Sequence, residues 1–512
     1  MKKLLTSVIV IALVLTGALT IFAACGNSTD YEHTIVFYSS QGQALQKYTQ
    51  QAIDIFQAKY PGWKVMHSTQ GGYNDVKSKI VGDIGAKQQP DLAYCYPDHV
   101  ATYLQSGIVV NINELINSTA TVAGKTIDFD ATANGGEGGW VGVDDTEYAV
   151  GYTETEIKDF VSGYFNEGYA YNYSDYERFG YDDNDLLTLP FVKSTELLYY
   201  NSSALKAAGI EAPAKTWDEL WEHCAILKQK FPDCTPLGYD SEANWVITMC
   251  QQNGWGYTAA NGDDNFLFHN QDVANWLTKL KEYKDKGYFT TEEINGEYTS
   301  NMFKLGVGGI GEKDGVANTA NGVSTDVGGV VYCIGSSGGA SYQKSDSGKW
   351  VTGITGIPGS VVGKDADGND IINASCISQG PSLVMLTGGN KVKNVEEKKI
   401  MTFLFVKELL DVNFQATFSI QSGYNPCRES VFAIDEYVDH LKGTSSTAKA
   451  AKAATTLSDK FFVSPAFDGS SNARDQVGNA LIYVVTGQKP AAKALKDAYI
   501  NCAGQEPSNT LS

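Results

Sequence analysis

Ile35-Val36-Phe37-Tyr38 followed by Ser39-Ser40-Gln41-Gly42 opens the part of the chain whose reading decides the fold. Four β-prone residues run into a polar loop, and Leu45, Tyr48, Ala52, Ile55 and Phe56 then recur at helical spacing until Pro61 stops the helix. Trp63-Lys64-Val65-Met66 reads as the next strand. After the loop Gly71-Gly72-Tyr73-Asn74, a second helix carries Val76, Ile80 and Ile84 on one face, and Leu92-Ala93-Tyr94-Cys95 is a third strand. A third helix near Asp98 to Gln105 stops at Gly107, and Ile108-Val109-Val110 is expected to return as a strand. This β-α-β-α-β order predicts an α/β fold with a largely parallel sheet and helices on its faces. Such sheets hold ligands at the carboxyl ends of their strands, here Ser39 to Gln43, the loop around Tyr73, and Tyr96-Pro97-Asp98.

Before this sheet, Lys2 and Lys3 precede an apolar run from about Leu4 to Phe22, which ends in Ala23-Ala24-Cys25. A cationic start, an apolar stretch and small residues read as an export signal over residues 1–24. Phe22-Ala23-Ala24-Cys25 resembles the bacterial lipobox, with phenylalanine where leucine is favoured, and that resemblance implies a lipidated Cys25 as the mature N-terminus. Residues 25–32 then form a short polar tether. The body is expected to stand at the outer face of the cell membrane.

The chain has 512 residues, a length at which a single core usually divides, so two lobes are expected. Its formal charge of −20 becomes −22 once Lys2 and Lys3 leave with the leader, which excludes nucleic acid as a partner. Tyrosine (29), phenylalanine (21) and tryptophan (8) are plentiful enough to fill a core and still face a flat, part-apolar ligand. The cysteines after Cys25 show no CxxC spacing and read as small buried apolar residues.

Residues 128–185 hold fifteen Asp and Glu against two basic residues, and read as an acidic, tyrosine-rich, solvated insert at about 125–185. Order resumes at Leu189-Pro190-Phe191. Thr216-Trp217-Asp218-Glu219 has the pattern of a capping box, and the helix behind it shows one apolar face of Trp217, Leu220, Trp221, Cys224 and Leu227. A further helix carries Val273, Trp276, Leu277, Leu280 and Tyr283, another runs from about Glu396 to Val412, and two more lie around Gln476 to Val485 and Ala491 to Cys502. Residues 444–456, rich in Ala, Ser, Thr and Lys, fit a loose helix or a surface loop.

Four blocks together resemble the extracellular solute-binding proteins of ATP-binding-cassette importers, in the family that includes maltose- and other sugar-binding proteins. They are Phe56 to Val65 with Tyr60-Pro61; Gln89-Pro90-Asp91-Leu92 with Gly107-Ile108-Val109-Val110-Asn111-Ile112; the long run from Leu189 through Ser194-Thr195-Glu196-Leu197-Leu198-Tyr199-Tyr200-Asn201 to Thr216-Trp217-Asp218-Glu219-Leu220; and Gly423-Tyr424-Asn425-Pro426-Cys427-Arg428-Glu429-Ser430. The resemblance implies a two-lobe periplasmic-binding-protein-like fold of the class II type with a hinge. The N-terminal lobe would take 33–194 and 380–420, and the C-terminal lobe 195–379 and 421–512. Thr195 to Tyr200, Ile377 to Pro381 and the stretch entering Gly423 would cross between them. It further implies a monomer that hands a small-molecule ligand to the permease's transmembrane subunits, with no cofactor.

A sugar site needs flat rings for C–H faces and planar polar groups for neighbouring hydroxyls. From strand ends and the crossing come Ser40, Gln41, Tyr73, Asp98 and Glu196; from positions similar to family contacts come Trp245, Trp255, Glu312 and Tyr424. Trp245 and Tyr424 are expected to supply ring faces, and Asp98 and Glu196 hydroxyl-binding carboxylates. Asp91, beside Pro90, reads as a structural cap. Catalytic and metal motifs are weak. Gly335-Ser336-Ser337-Gly338-Gly339 lacks the apolar-periodic helix that a nucleophile elbow needs. Asp365-x-Asp367-x-Asn369 has Asp370 and Cys376 where an EF-hand needs Gly and Glu, and the histidines show no zinc spacing. The leading expectation is a carbohydrate, most simply an oligosaccharide. The alternatives are glycerol 3-phosphate or a glycerophosphodiester, which would need a cation in the cleft, and an exported glycosidase using Asp98 and Glu196 across a sugar site.

Overall fold

The computed structural model describes residues 29–260, 264–307, 310–311, 318–320, 323–325, 329–345 and 348–512. Cys25 and Glu312 lie outside the described residues.

The β-α-β-α-β run is present as Thr34–Ser39, Gln43–Lys59, Lys64–Thr69, Tyr73–Ala86 and Leu92–Cys95. These three strands pair in parallel, with Ile35 opposite Val65 and Phe37 opposite Leu92. Side chains alternate across the sheet. Ile35 and Phe37 pack on one face with Phe56, Tyr94 and Phe405, while Val36 and Tyr38 pack on the other with Val76 and Ile80. Burial on both faces is why the central strand reads as an unbroken apolar run. The helix Gln43–Lys59 ends where Pro61 cannot continue it.

The expected strand at Ile108-Val109-Val110 does not form, and only Val109 makes a bridge, to Leu386. The sheet edge beside Leu92–Cys95 is taken by Ser382–Met385, which returns antiparallel from far along the chain, and Leu189–Pro190 completes the five-stranded sheet.

A second five-stranded sheet has the order Phe289–Thr291, Thr235–Tyr239, Val330–Ser336, Glu196–Asn201 and Thr352–Gly356, the first three parallel and the last two antiparallel. The helix Trp217–Lys230 buries Trp217, Leu220, Cys224 and Leu227 against it. Thr216 caps this helix through Glu219 N at 3.2 Å, but the expected reciprocal bond is displaced by one residue, Glu219 Oε2 accepting instead from Lys215 N at 2.7 Å.

Chain segments that join the two sheets pair with one another. Ser194 and Gln379 exchange backbone hydrogen bonds at 2.8 Å in both directions, and Val192–Lys193 pairs with Asn425–Pro426. At this crossing Lys193, 1% exposed, is ion-paired with Glu167, whose other oxygen accepts from Ser378 Oγ at 2.8 Å. A buried charge is tolerated here because it is both paired and hydrogen-bonded.

The acidic insert proves to be two things. Thr121–Asp130 and Gly139–Ala149 form an exposed antiparallel hairpin, as a solvated insert should. Its tyrosine-rich remainder is not solvated: Tyr171, Tyr173, Tyr176 and Tyr181 are buried against Val100, Tyr103 and Leu104. Their rings enter the core while the carboxylates between them stay at the surface, so charge counting alone misread the segment. Residues 444–456 resolve into the helix Ser446–Thr455, whose Ala448, Ala450, Ala451 and Ala454 are buried. The eight cysteines after Cys25 are free, seven of them buried. Among the described residues no helix is long and apolar enough to cross a membrane.

Candidate functional site

A cleft of about 1250 Å³ lies between the carboxyl ends of the two sheets and is floored by the crossing segments. Its N-terminal wall is aromatic. The loop after Lys64–Thr69 places Tyr73 at the start of a helix, and the turn after Leu92–Cys95 places Tyr96 beside it, ring centroids 4.4 Å apart. Tyr424 joins them from the third crossing segment, its hydroxyl 3.3 Å from that of Tyr73. Two glycines make this possible. Gly423 ends the helix Val412–Ser422 in the left-handed conformation (φ 86°) and turns the chain into the cleft. Gly338 lies beneath the ring, where a Cβ would come within 2.3 Å of Tyr424 Cζ. Burial pushes the Tyr73 and Tyr424 phenols up, so both remain neutral hydrogen-bonding groups beside flat faces.

The opposite wall is acidic. Asp240 and Glu242 follow the strand Thr235–Tyr239, and Glu292 and Glu293 follow Phe289–Thr291. Asp240 Oδ1 accepts from Thr299 N at 2.7 Å and from Thr299 Oγ1 at 2.6 Å. Burial raises its carboxyl to about 6. Burial, with repulsion from Asp240, Glu242 and Glu293, raises Glu292 to about 7. Each is an acceptor that loses little of its capacity to a protein partner of opposite charge. Among the described residues no group of three or more His, Cys, Asp and Glu is arranged to hold a metal ion.

Between the walls, Glu196 opens the crossing strand at 2% exposure, accepting from Tyr239 OH at 2.5 Å and from Asn244 Nδ2 at 2.9 Å. Burial raises it to about 7 against the pull of those bonds and of Arg474. Asn244 Oδ1 accepts from Arg474 Nη1 at 2.5 Å, and Arg474 Nε lies 3.4 Å from Asp98 Oδ2 across the lobe interface. Lys77 makes a second crossing, to Ser471 Oγ at 2.8 Å and Asp475 at 3.5 Å. Among the described residues the cleft wall holds two cations, and each faces a carboxylate of the opposite lobe.

Ser40, Tyr73, Glu196 and Tyr424 border the cleft together. Gln41 borders it too, yet its side chain is spent inside: the amide donates to Tyr94 OH and the carbonyl accepts from Thr49 Oγ1 at 2.7 Å. It braces Tyr94 rather than presenting a free amide. Three expected contacts are absent from the cleft wall. Trp245 is 0% exposed, stacked on Tyr239 at 4.7 Å and wedged between Trp217 and Phe289, because its helix turns that face onto the sheet and offers Asn244 to the cleft. Trp255 packs half-buried against the same core. Asp98 borders only a small side pocket with Tyr257, Ser378 and Arg474. There burial acts to raise its carboxyl, but His99, Arg474 and Lys77 outweigh it and hold it below the usual range.

Sequence reasoning missed Tyr94, Asp240, Glu242, Glu292 and Asn244. The strand-end rule that found Tyr73 would have found the carboxylates had it been applied to the second sheet, since Gly238-Tyr239-Asp240-Ser241 is a strand end of the same kind.

Two α/β sheets facing each other across a cleft, with paired crossing segments at its floor, define a two-lobe binding protein. The chain belongs to the family of bacterial extracellular solute-binding proteins, whose model matches residues 51–444. The sn-glycerol-3-phosphate-binding periplasmic protein UgpB of Escherichia coli (strain K12) is 23% identical over 409 residues, covering 78% of this chain and 75% of that one. Among solved structures, the GacH receptor of Streptomyces glaucescens, known in complex with acarbose, matches with a TM-score of 0.64 at 15% identity over 93% of this chain and 99% of that one. UgpB of Mycobacterium tuberculosis in complex with glycerophosphocholine matches with 0.63 at 16% identity over 92% and 98%. The substrate-binding protein Lmo0181 of Listeria monocytogenes in complex with cycloalternan matches with 0.64 at 14% identity over 92% and 98%. These likenesses establish the fold.

Proposed function

We propose that this chain is the lipid-anchored binding subunit of an ATP-binding-cassette importer. It captures a neutral carbohydrate, an oligosaccharide in the simplest case, between lobes 33–194 with 380–420 and 195–379 with 421–512. It works as a monomer at the outer face of the cell membrane, tethered through an acylated Cys25, and hands its ligand to the permease. The observation that carries the ligand class is the division of the cleft: Tyr73, Tyr96 and Tyr424 offer ring faces opposite the acceptors Asp240, Glu242 and Glu292. The complexes of GacH with acarbose and of Lmo0181 with cycloalternan support the same reading.

The glycerophosphate reading has its own support in the two UgpB relatives. It is weaker here because the cations that the described residues bring to the cleft wall, Lys77 and Arg474, are already paired with Asp475 and Asp98. Capture without chemistry is favoured over glycosidic cleavage. Of the two carboxylates a glycosidase would need, Asp98 is engaged by Arg474, and Glu196 is buried with both oxygens accepting hydrogen bonds.

A thermal-shift screen of the mature protein against neutral mono- and oligosaccharides, polyols and glycerol phosphates tests this, since a ligand held only by the folded form raises Tm. A rise with a neutral saccharide, recovered unaltered, is expected; a rise confined to phosphorylated compounds, or hydrolysed sugar, would overturn the reading. Mass spectrometry of the membrane-extracted protein should find an acyl mass on Cys25, lost in Cys25→Ser.

A further inference from the structure

Arg474 is the residue in this cleft best suited to a phosphate, because a guanidinium presents a planar fork of donors that matches phosphate oxygens two at a time. Two of its three nitrogens face protein acceptors. Nε faces Asp98 Oδ2 at 3.4 Å and Nη1 donates to Asn244 Oδ1 at 2.5 Å, while the side chain keeps 20% of its surface accessible. Asp98 has little else to do with that oxygen: its side chain is 11% exposed, and among the described residues Oδ2 has no hydrogen-bond partner, this ion-pair contact apart. An anion entering beside Arg474 would also meet Glu196, which is linked to it through Asn244.

We propose that Asp98 is a specificity-determining residue, which holds Arg474 across the lobe interface and so excludes ligands that carry a phosphate group. This rests on the carbohydrate reading and deepens it: a fold shared with glycerophosphate binders is kept for neutral ligands by one carboxylate. Replacing that carboxylate by an amide of the same shape leaves Arg474 enclosed without a carboxylate directly facing it, a condition that favours recruitment of an anion.

Calorimetric titration of the mature protein, Asp98→Asn and Asp98→Asn/Arg474→Gln with glycerol 3-phosphate and with glycerol tests it, alongside the neutral saccharide found by screening. The wild type should show no saturable heat with glycerol 3-phosphate at millimolar concentration. Asp98→Asn should bind it at least tenfold more tightly than the wild type does, and the double variant should lose that gain, with glycerol unbound throughout. A natively melting Asp98→Asn that gains nothing overturns the role of Asp98. If Asp98→Asn does not fold, the wild type decides: a rise in Tm with glycerol 3-phosphate beyond that in chloride of equal ionic strength overturns the proposal, and no such rise supports it. The two readings fail separately. A neutral saccharide that binds while Asp98→Asn gains no phosphate removes only the role of Asp98, whereas glycerol 3-phosphate binding to the wild type with no neutral saccharide bound removes both.

Discussion

The two lobes treat their aromatic residues in opposite ways. In the N-terminal lobe Tyr73 and Tyr96 stand at strand ends and face the cleft, while in the C-terminal lobe Trp217, Tyr239 and Trp245 stack against one another inside the core and leave carboxylates at the rim. Strand ends border the cleft in both lobes, but what each lobe offers there differs. The strand ends of one carry rings and those of the other carboxylates, while Tyr298 and Tyr342 line the second lobe's rim away from its strand ends. Ring abundance in a sequence is therefore no guide to which lobe touches the ligand; position relative to strand ends is.

Removing one core ring and one cleft ring, Trp245 and Tyr424, puts this difference to the hardest trial. Trp245→Ala should cost about 3–5 kcal/mol of stability, as expected for emptying a packed aromatic site, and leave ligand affinity of the folded protein unchanged. Denaturant unfolding with calorimetry on the folded fraction reads both; a loss of affinity without a loss of stability would move Trp245 to the site.

Glu196 tests the buried acid between the walls. Its carboxyl is raised from 4.5 to about 7, so the folded state binds the proton more tightly than the unfolded state. Its contribution to stability is full below the unfolded value and is lost as pH rises through the folded one. Glu196→Gln, which cannot titrate, should therefore gain on the wild type by about 2–3 kcal/mol between pH 4.5 and 8. A constant difference across that window would contradict the shift.

Tyr424→Ala, the cleft counterpart of the Trp245 variant, should lose about 1–2 kcal/mol of binding, roughly five- to thirtyfold in Kd, with Tm little changed. Tyr73→Ala should behave alike. The smallest effect belongs to the lobe-to-lobe pair Lys77 and Asp475, whose partners are part-exposed: Lys77→Met should weaken binding by at most about 1 kcal/mol, and the difference should shrink in high salt.

The course of the first sheet was legible because a doubly covered parallel strand leaves an unbroken apolar run, and because Pro61 and Gly107 punctuate its helices. What failed to show was anything set by distant chain. Ile108-Val109-Val110 has strand composition, but Ser382–Met385 holds the edge it would need. Tyr171 to Tyr181 sit among carboxylates in sequence and in a core in space. At the site, Tyr73 and Tyr424 were readable from a strand end and a crossing motif. Trp245 was misplaced because a one-residue step on its helix separates the face turned to the core from Asn244, which faces the cleft. Asp98 was found as a residue but not as a role, since its partner Arg474 lies on a helix that sequence spacing does not connect to it.

A crystal structure of the mature protein with the saccharide that raises its Tm most tests the account directly. A sugar ring should lie on Tyr73, Tyr96 or Tyr424, with hydroxyls directed to Asp240, Glu242 or Glu292 and the pair Asp98 and Arg474 intact. A sugar stacked on Tyr298 or Tyr342, the other rings that line the cleft from the C-terminal lobe, or bound through a freed Arg474, would contradict it.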